Sequence, residues 1–314
     1  MKLKYYHNLD GFRAIAAFGV VIAHFFTLER LGGWSSLFAL AQQGNSGVSL
    51  FFVLSGFVIT RILLQSVNSP RYFINFYGRR TLRIFPLYYL ALCCYVFIPG
   101  LLHWVSTFPP ISESWYHFAY LQNFARTFNW PSQGPGHYWS LAVEEHFYLL
   151  WPALLAWLHR KYSALTIARI IIALVVAVAV WRAFLLLSGS TENRCYFGTD
   201  TRIDGPLVGS LAAMLARTSF QITKPVAIGA AAILTFGLFR SNAHGASYFL
   251  GFGLAFSLSV SIAMLWLLQY RDTWIHRALR SRVLTFTGQI SYSLYLWHFA
   301  LILALGQHVK WSRG

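Results

Sequence analysis

Long apolar runs separated by short polar joins make up most of the chain, and their lengths predict membrane-spanning helices. A helix that crosses the hydrocarbon core of a bilayer needs about 20 apolar residues. We place about nine such spans, at residues 11–28, 47–65, 84–100, 140–158, 165–187, 201–217, 225–240, 246–268 and 285–306. The pattern predicts an all-α polytopic membrane bundle of about 9–10 transmembrane helices around a central polar cavity.

The first span carries two ionisable side chains, Arg13 and His24, within an otherwise apolar run. At about 100° per residue the two positions share one face of a helix, about 16 Å apart along its axis. An ionisable group inside a membrane is costly and usually faces a protein interior or a watery cavity. We therefore expect this face of the first helix to line something polar.

Composition supports the membrane assignment and narrows the partners. The chain is 57% hydrophobic and 11% charged, whereas a soluble domain carries about 25% charged residues. We treat residues 1–314 as a single transmembrane domain. The net charge of +16 does not indicate nucleic-acid binding, because the basic residues lie between the apolar runs. Most of the 25 basic residues fall in joins on the side of the N-terminus, which predicts a cytoplasmic N-terminus.

Two joins and the cysteines add detail. In the join at 66–86, Pro86 is expected to end a short surface helix and let a new span begin. The segment at 101–139 is the longest on the outer side and is a candidate lid or acceptor-binding wall. The three cysteines, Cys93, Cys94 and Cys195, fit no metal-ligand spacing, so we expect no metal site.

Six sequence blocks, taken in order, resemble the acyltransferase type 3 family of membrane-bound acyltransferases. They are Arg13-x10-His24 after Leu9-Asp10-Gly11, residues 47–57, residues 79–88, residues 139–152, residues 201–209 and residues 290–298. The family usually has ten core spans, so the chain looks one span short at its C-terminus. The resemblance implies transfer of an acyl group, often acetyl, from cytoplasmic acyl-CoA to a hydroxyl of a sugar, polysaccharide or other acceptor. The implied partners are acyl-CoA, the acceptor and the bilayer, and a homo-oligomer is left open.

The resemblance and the chemistry together assign roles to the polar residues. His24 is the candidate general base, or a covalent acyl relay, and its alternative is a packing histidine. Arg13 is expected to neutralise a donor phosphate or steady the acyl carbonyl, and its alternative is a snorkelling arginine. Arg79, Arg80 and Arg83 are the candidate ligands of the donor phosphates, and their alternative is lipid head-group binding and topology.

Glu144 matches the recurring acid of the family and is expected to orient His24, or to pair with Arg13 or Arg202. Its neighbour Glu145 is interpreted as a helix-start charge. The candidate substrate-binding residues are Tyr148, Trp139, Arg202, Asp204, Tyr292, Tyr295 and His298, with a structural ion pair as the alternative for Arg202 and Asp204. Ser55, beside Gly56, is interpreted as close helix packing because no nucleophile elbow surrounds it.

A transporter or flippase is the alternative function. Its buried Arg13, His24 and Glu144 would then form a substrate or proton path. Inverted internal repeats would favour this alternative, and the sequence shows none. The acyltransferase interpretation is therefore preferred.

Overall fold

The computed structural model describes residues 7–29, 46–101, 111–132, 134–240 and 245–311, and these residues form helices and turns with no strand. The all-α prediction is confirmed. The helices are α1 (His7–Glu29), α2 (Ser46–Ser66), α3 (Tyr72–Leu101), α4 (Ile111–Phe118), α5 (Gln122–Thr127), α6 (Trp139–Lys161), α7 (Ala164–Leu187), α8 (Glu192–Phe197), α9 (Thr199–Arg202), α10 (Asp204–Leu215), α11 (Lys224–Arg240), α12 (Gly253–Gln269), α13 (Trp274–Leu279), α14 (Arg282–Gln289) and α15 (Ser291–Trp311). A short 3₁₀ turn precedes α6, and a π-helical turn, Tyr248–Phe252, precedes α12.

Several of these helices have the length and composition of membrane spans, as expected for a helical membrane protein. Within the described ranges four helical segments qualify: Ser46–Ser66, Tyr72–Ile98, Ala164–Leu187 and Tyr248–Gln269. Two shorter apolar helices, Asp204–Leu215 and Lys224–Gly237, accompany them. The total of nine spans stays a prediction.

The expected helix break at Pro86 is wrong. Helix α3 runs without interruption from Tyr72 to Leu101 and contains Pro86. Proline removes one backbone hydrogen bond inside a helix, here the bond to the carbonyl of Leu82, and that costs about 3 kcal/mol. Both Leu82 and Pro86 are exposed, whereas Tyr88, half a turn further on, is fully buried. Burial of one face of α3 therefore offsets the missing bond, and the join at 66–86 is mostly part of the span itself.

Two of the predicted spans are each divided into two helices. The span at 201–217 is interrupted at Ile203, where α9 ends and α10 begins. Proline is well placed in the first turn of a helix, and Pro206 takes that position in α10. The span at 285–306 is interrupted at Ile290, between α14 and α15. The segment at 101–139 contains α4 and α5, with residues 102–110 and 133 outside the described part.

The chain divides into two compact units, with one boundary within α2 and the other between α9 and α10. The first unit comprises Met1–Val58 and Asp204–Gly314, and the second comprises Ile59–Ile203. An apolar core from α1, α2, α10, α12 and α13 holds the first unit together. Its buried members are Leu9, Phe12, Leu54, Phe57, Ala212, Ala213, Ile222, Met264, Leu265, Leu267 and Leu279.

Glycines let helix backbones touch in the first unit. A Cβ atom at Gly56 would collide with the carbonyl oxygen of Pro206, and one at Gly209 would collide with that of Val53. Helices α2 and α10 therefore cross in direct backbone contact, as small residues allow between membrane helices. The interpretation of the Ser55–Gly56 pair as a close-packing site is confirmed.

A second close approach fixes α1. A Cβ atom at Gly288 of α14 would collide with the carbonyl oxygen of Asp10. Helices α13 and α14 are themselves anchored by N-caps, since Thr273 accepts from the amide of His276 and Ser281 from that of Leu284. The start of α1 is thus held against a capped helical pair.

Tyrosine and tryptophan side chains link the helices of the second unit. The hydroxyls of Tyr72 and Tyr77 in α3 donate to the carbonyls of Pro152 (3.1 Å) and Leu149 (2.8 Å) in α6. The indole of Trp151 donates to Thr60 at 2.7 Å. Each bond satisfies a polar group that would be costly to leave unpaired in an apolar setting.

Replacing Gly209 with alanine should lower the free energy of unfolding by about 2–3 kcal/mol, because a new methyl group meets backbone that cannot move aside. The measurement is the melting temperature of the full chain in detergent micelles. Gly229→Ala in α11 is the matched control, since a Cβ atom at Gly229 would meet no other atom within 4 Å, and alanine is the better helix former there. Equal melting temperatures for the two variants would contradict the close crossing of α2 and α10.

Candidate active site

Helix α1 presents the two polar residues predicted from the sequence, and it is helical from His7 to Glu29. The shared face of Arg13 and His24 follows from that continuity. The side chain of Arg13 is 24% exposed, and its Nη1 lies 3.7 Å from Oδ1 of Asp10, whose side chain is 2% exposed. Asp10 precedes Arg13 by three residues, so the helix itself holds this ion pair.

His24 meets a second histidine from the far end of the sequence. Its Nδ1 lies 2.8 Å from Nε2 of His298 in α15. The two rings are almost parallel, with centroids 5.0 Å apart, and the ring of Phe299 lies nearly perpendicular to that of His24, with centroids 5.9 Å apart. His298 is buried, with 3% exposure. The structure therefore places one of the predicted substrate-binding residues directly on the predicted base.

Backbone carbonyls hold His298 from its other side. Its Nδ1 lies 2.8 Å from the carbonyl oxygen of Tyr295 and 3.2 Å from that of Leu294. Tyr295 is itself buried, and its ring lies 6.1 Å from that of Phe51. The imidazole pair is thus a connected set of hydrogen bonds between α1 and α15.

Two further predicted residues also belong to the first unit. Tyr292 is half-buried on α15, six residues before His298. Asp204 is buried at the first position of α10, where its Oδ1 accepts from the amide of Gly205 at 3.1 Å. A carboxylate at a helix start is favoured by the helix dipole, which accounts for Asp204 without a substrate.

In the second unit Glu145 meets Arg80. Nη2 of Arg80 lies 3.3 Å from Oε1 of Glu145, and both side chains are largely buried, at 18% and 16% exposure. The guanidinium carbon of Arg80 also lies 3.0 Å from the centroid of the Tyr148 ring. Glu145 lies in the second turn of α6, past the helix start. The helix-start interpretation of Glu145 is wrong, because its charge faces Arg80.

The other residues of the arginine cluster differ from Arg80. Arg79 and Arg83 are exposed, one turn apart on α3, and they share a face that Arg80 does not. Glu144 is half-buried beside Glu145 on α6. The structure thus separates the three arginines into one engaged with α6 and two on the surface.

Trp139 and Arg202 come together in an aromatic setting. Both are buried, and the guanidinium of Arg202 lies 6.0 Å from the Trp139 ring and 5.4 Å from that of Tyr196. Such contacts between a cation and aromatic faces contribute about 0.5–2 kcal/mol. This part of the second unit offers aromatic faces and a positive charge.

Comparison with known proteins identifies the family. The profile of the acyltransferase type 3 family, described as an acyltransferase domain, matches residues 6–310. The chain belongs to this family.

Two relatives match this acyltransferase type 3 chain along nearly its whole length. The peptidoglycan O-acetyltransferase OatA of Listeria monocytogenes is 31% identical over 323 residues, which cover 95% of this chain and 50% of the relative. The O-acetyltransferase OatA of Staphylococcus aureus is 26% identical over 337 residues, which cover 97% of this chain and 52% of the relative. The chain thus spans about half the length of these relatives. No solved structure gives a significant match.

The two contacts that sequence analysis missed have no local signal. His24 and His298 are 274 residues apart, and Arg80 and Glu145 are 65 residues apart. Both pairs do lie inside the family-like blocks, which is the one hint that the sequence offers. The sequence pattern did not pair Arg80 with Glu145, whereas the structure does.

A double-mutant cycle on Arg80 and Glu145 tests the energetic role of their ion pair. Arg80→Met and Glu145→Met should each lower the free energy of unfolding by about 1–3 kcal/mol, because each leaves a largely buried charge without its partner. The double variant should recover most of that loss. The measurement is the melting temperature of each variant in micelles. Losses that simply add would show that the pair has no coupling energy.

Proposed function

We propose that this protein is an O-acyltransferase of the bacterial inner membrane, with a cytoplasmic N-terminus, that moves an acetyl group from acyl-CoA to a sugar hydroxyl of a glycan. Family membership and the peptidoglycan O-acetyltransferase relatives support this proposal. The observation that carries it is the hydrogen-bonded imidazole of His24 in the apolar part of α1 that follows Arg13. Histidine is the side chain best suited to take and return a proton near neutral pH.

The proposed reaction uses His24 as general base and then as general acid. The acceptor O–H bond breaks, its proton passes to His24, and the oxygen forms an ester bond with the acyl carbon. The C–S bond of the thioester breaks, and the leaving CoA sulfur takes the proton from His24. Atoms and charges balance without a metal or an oxidant. General acid–base help of this kind contributes about 10²–10⁴-fold to a rate.

Arg13 supplies positive charge on the same face of α1. Its guanidinium lies beside Asp10, whose negative charge limits the net positive charge at that end of the helix. A planar guanidinium can donate two hydrogen bonds to a phosphate or to a developing oxyanion. We propose that Arg13 steadies the donor, about 16 Å along the helix axis from His24.

The second unit supplies the proposed contacts to the charged and sugar groups of the two substrates. Arg79 and Arg83 are exposed, and we assign them to the phosphates of acyl-CoA. Arg80 instead holds Glu145 and Tyr148 in place. Aromatic faces suit sugar rings, and on that ground Trp139, Tyr148 and Arg202 are assigned to the acceptor, whereas Glu144 remains the proposed acidic partner in the reaction.

His24→Ala should reduce acetyl transfer by at least 10²-fold, since the base is removed. The measurement follows the radiolabelled acetyl group from acetyl-CoA to a glycan acceptor, and the release of free CoA is measured in parallel. His159→Ala, at the end of α6, is the matched histidine control and should keep full activity. Transfer that survives His24→Ala in correctly folded protein would refute the assignment of the base.

Arg79→Gln and Arg83→Gln should each raise KM for acyl-CoA roughly tenfold and leave kcat within about twofold, because a lost charge-assisted hydrogen bond weakens ground-state and transition-state binding alike. Arg71→Gln is the control, since Arg71 is exposed just before the same helix. An equal rise in KM for Arg71→Gln would reveal a general effect of surface charge.

A further inference from the structure

We propose that His298 is a positioning residue that fixes the tautomer of His24, so that Nε2 of His24 is the atom that takes the proton of the acceptor hydroxyl. This inference rests on the proposed function, and it adds the direction of proton transfer. It also moves His298 from a predicted substrate-binding residue to a residue that acts through His24.

The backbone of α15 sets the first constraint. Carbonyl oxygens only accept hydrogen bonds, and Nδ1 of His298 lies 2.8 Å from the carbonyl of Tyr295 and 3.2 Å from that of Leu294. Nδ1 of His298 must therefore carry the proton. In a neutral imidazole the other ring nitrogen then holds a lone pair, which leaves Nε2 of His298 as an acceptor.

The ring of His298 passes this constraint to α1. Nε2 of His298 faces Nδ1 of His24 at 2.8 Å. Since Nε2 of His298 accepts, Nδ1 of His24 donates and carries the proton of that ring. The lone pair of neutral His24 is then on Nε2, and only there can the ring take up a second proton.

The hydrogen bonds to the carbonyls make these donor and acceptor roles difficult to reverse. The two carbonyls belong to the turn just before His298 in its own helix, so the contact persists as long as α15 is helical. His298 is also buried, so bulk water does not compete for its ring nitrogens. In catalytic and metal-binding histidines, likewise, the hydrogen bond at one ring nitrogen determines the tautomer and leaves the other nitrogen to react or to bind.

The same hydrogen bonds stabilise the protonated base. When His24 takes a proton at Nε2, its ring becomes a cation whose Nδ1–H already points at the lone pair of His298. The carbonyls behind His298 strengthen that acceptor, because hydrogen bonds in a chain polarise one another. The donors and acceptors are in place before the reaction, so little reorganisation is needed.

A spectroscopic experiment tests the tautomer directly. The full chain, labelled with ¹⁵N-histidine and held in lipid bilayers, is compared with His24→Ala and His298→Ala to assign the ring nitrogens. We expect His24 to carry its proton on Nδ1, and this single tautomer to be lost in His298→Leu. A wild-type His24 that is protonated on Nε2 would overturn the proposal.

Kinetics test whether the tautomer matters. His298→Leu should lower kcat roughly 10²-fold, with KM for acyl-CoA within about twofold. His298→Gln offers a side-chain oxygen as the acceptor for His24 and should recover at least tenfold of that loss. Phe299→Leu is the packing control, since the Phe299 ring contacts both imidazoles but has no polar atom that could set a tautomer, and its kcat should stay near the wild-type value.

The outcomes separate this inference from the proposed function. Equal losses for the glutamine and leucine variants, or an effect confined to KM, would make His298 a pocket-lining residue and overturn the proposal. Wild-type protein with the expected tautomer but no acetyl transfer would refute the proposed function and support the tautomer assignment. Transfer that depends on His24 but not on His298 would support the proposed function and overturn the positioning role of His298.

Discussion

A polar side chain inside an apolar helix is costly unless another polar group meets it, and two polar pairs of the described structure satisfy this constraint. His24 meets His298, Arg80 meets Glu145, and each partner comes from a distant part of the chain. The hydroxyl groups of Ser49 and Tyr248 satisfy it in the same way, in a buried contact at 2.6 Å. Without water to satisfy these groups, the helices must pack so that the partners coincide.

Close backbone packing makes that coincidence possible. Side chains on α1 can reach α15 only if the start of α1 is held in one place, and the contact between Asp10 and Gly288 holds it there. The crossing of α2 and α10 at Gly56 and Gly209 has the same effect within the core of the first unit. Because packed helices change position in steps rather than continuously, a hydrogen bond near 2.8 Å depends on contacts far from the imidazoles.

The sequence was sufficient for features that depend on neighbouring residues. The face shared by Arg13 and His24, the all-helical fold and the packing role of Gly56 all follow from local spacing or residue size. The predicted helix break at Pro86 was wrong for a related reason. The cost of a proline in a helix is local, whereas the burial of Tyr88 that offsets it depends on tertiary packing. The ion pair of Arg80 with Glu145 and the contact between His24 and His298 depend on tertiary packing that residue spacing does not encode.

The two polar pairs differ in what they can do chemically. Arg80 and Glu145 carry opposite, largely buried charges, and these are best used to fix α3 against α6. Two neutral imidazoles have one lone pair more than their mutual hydrogen bond consumes. When one of two hydrogen-bonded histidines donates to a carbonyl, one basic nitrogen is therefore left over. It belongs to the other histidine, the one that is not bonded to the carbonyl. In this chain the carbonyl lies on α15, so the basic nitrogen lies on α1, the helix that also carries Arg13.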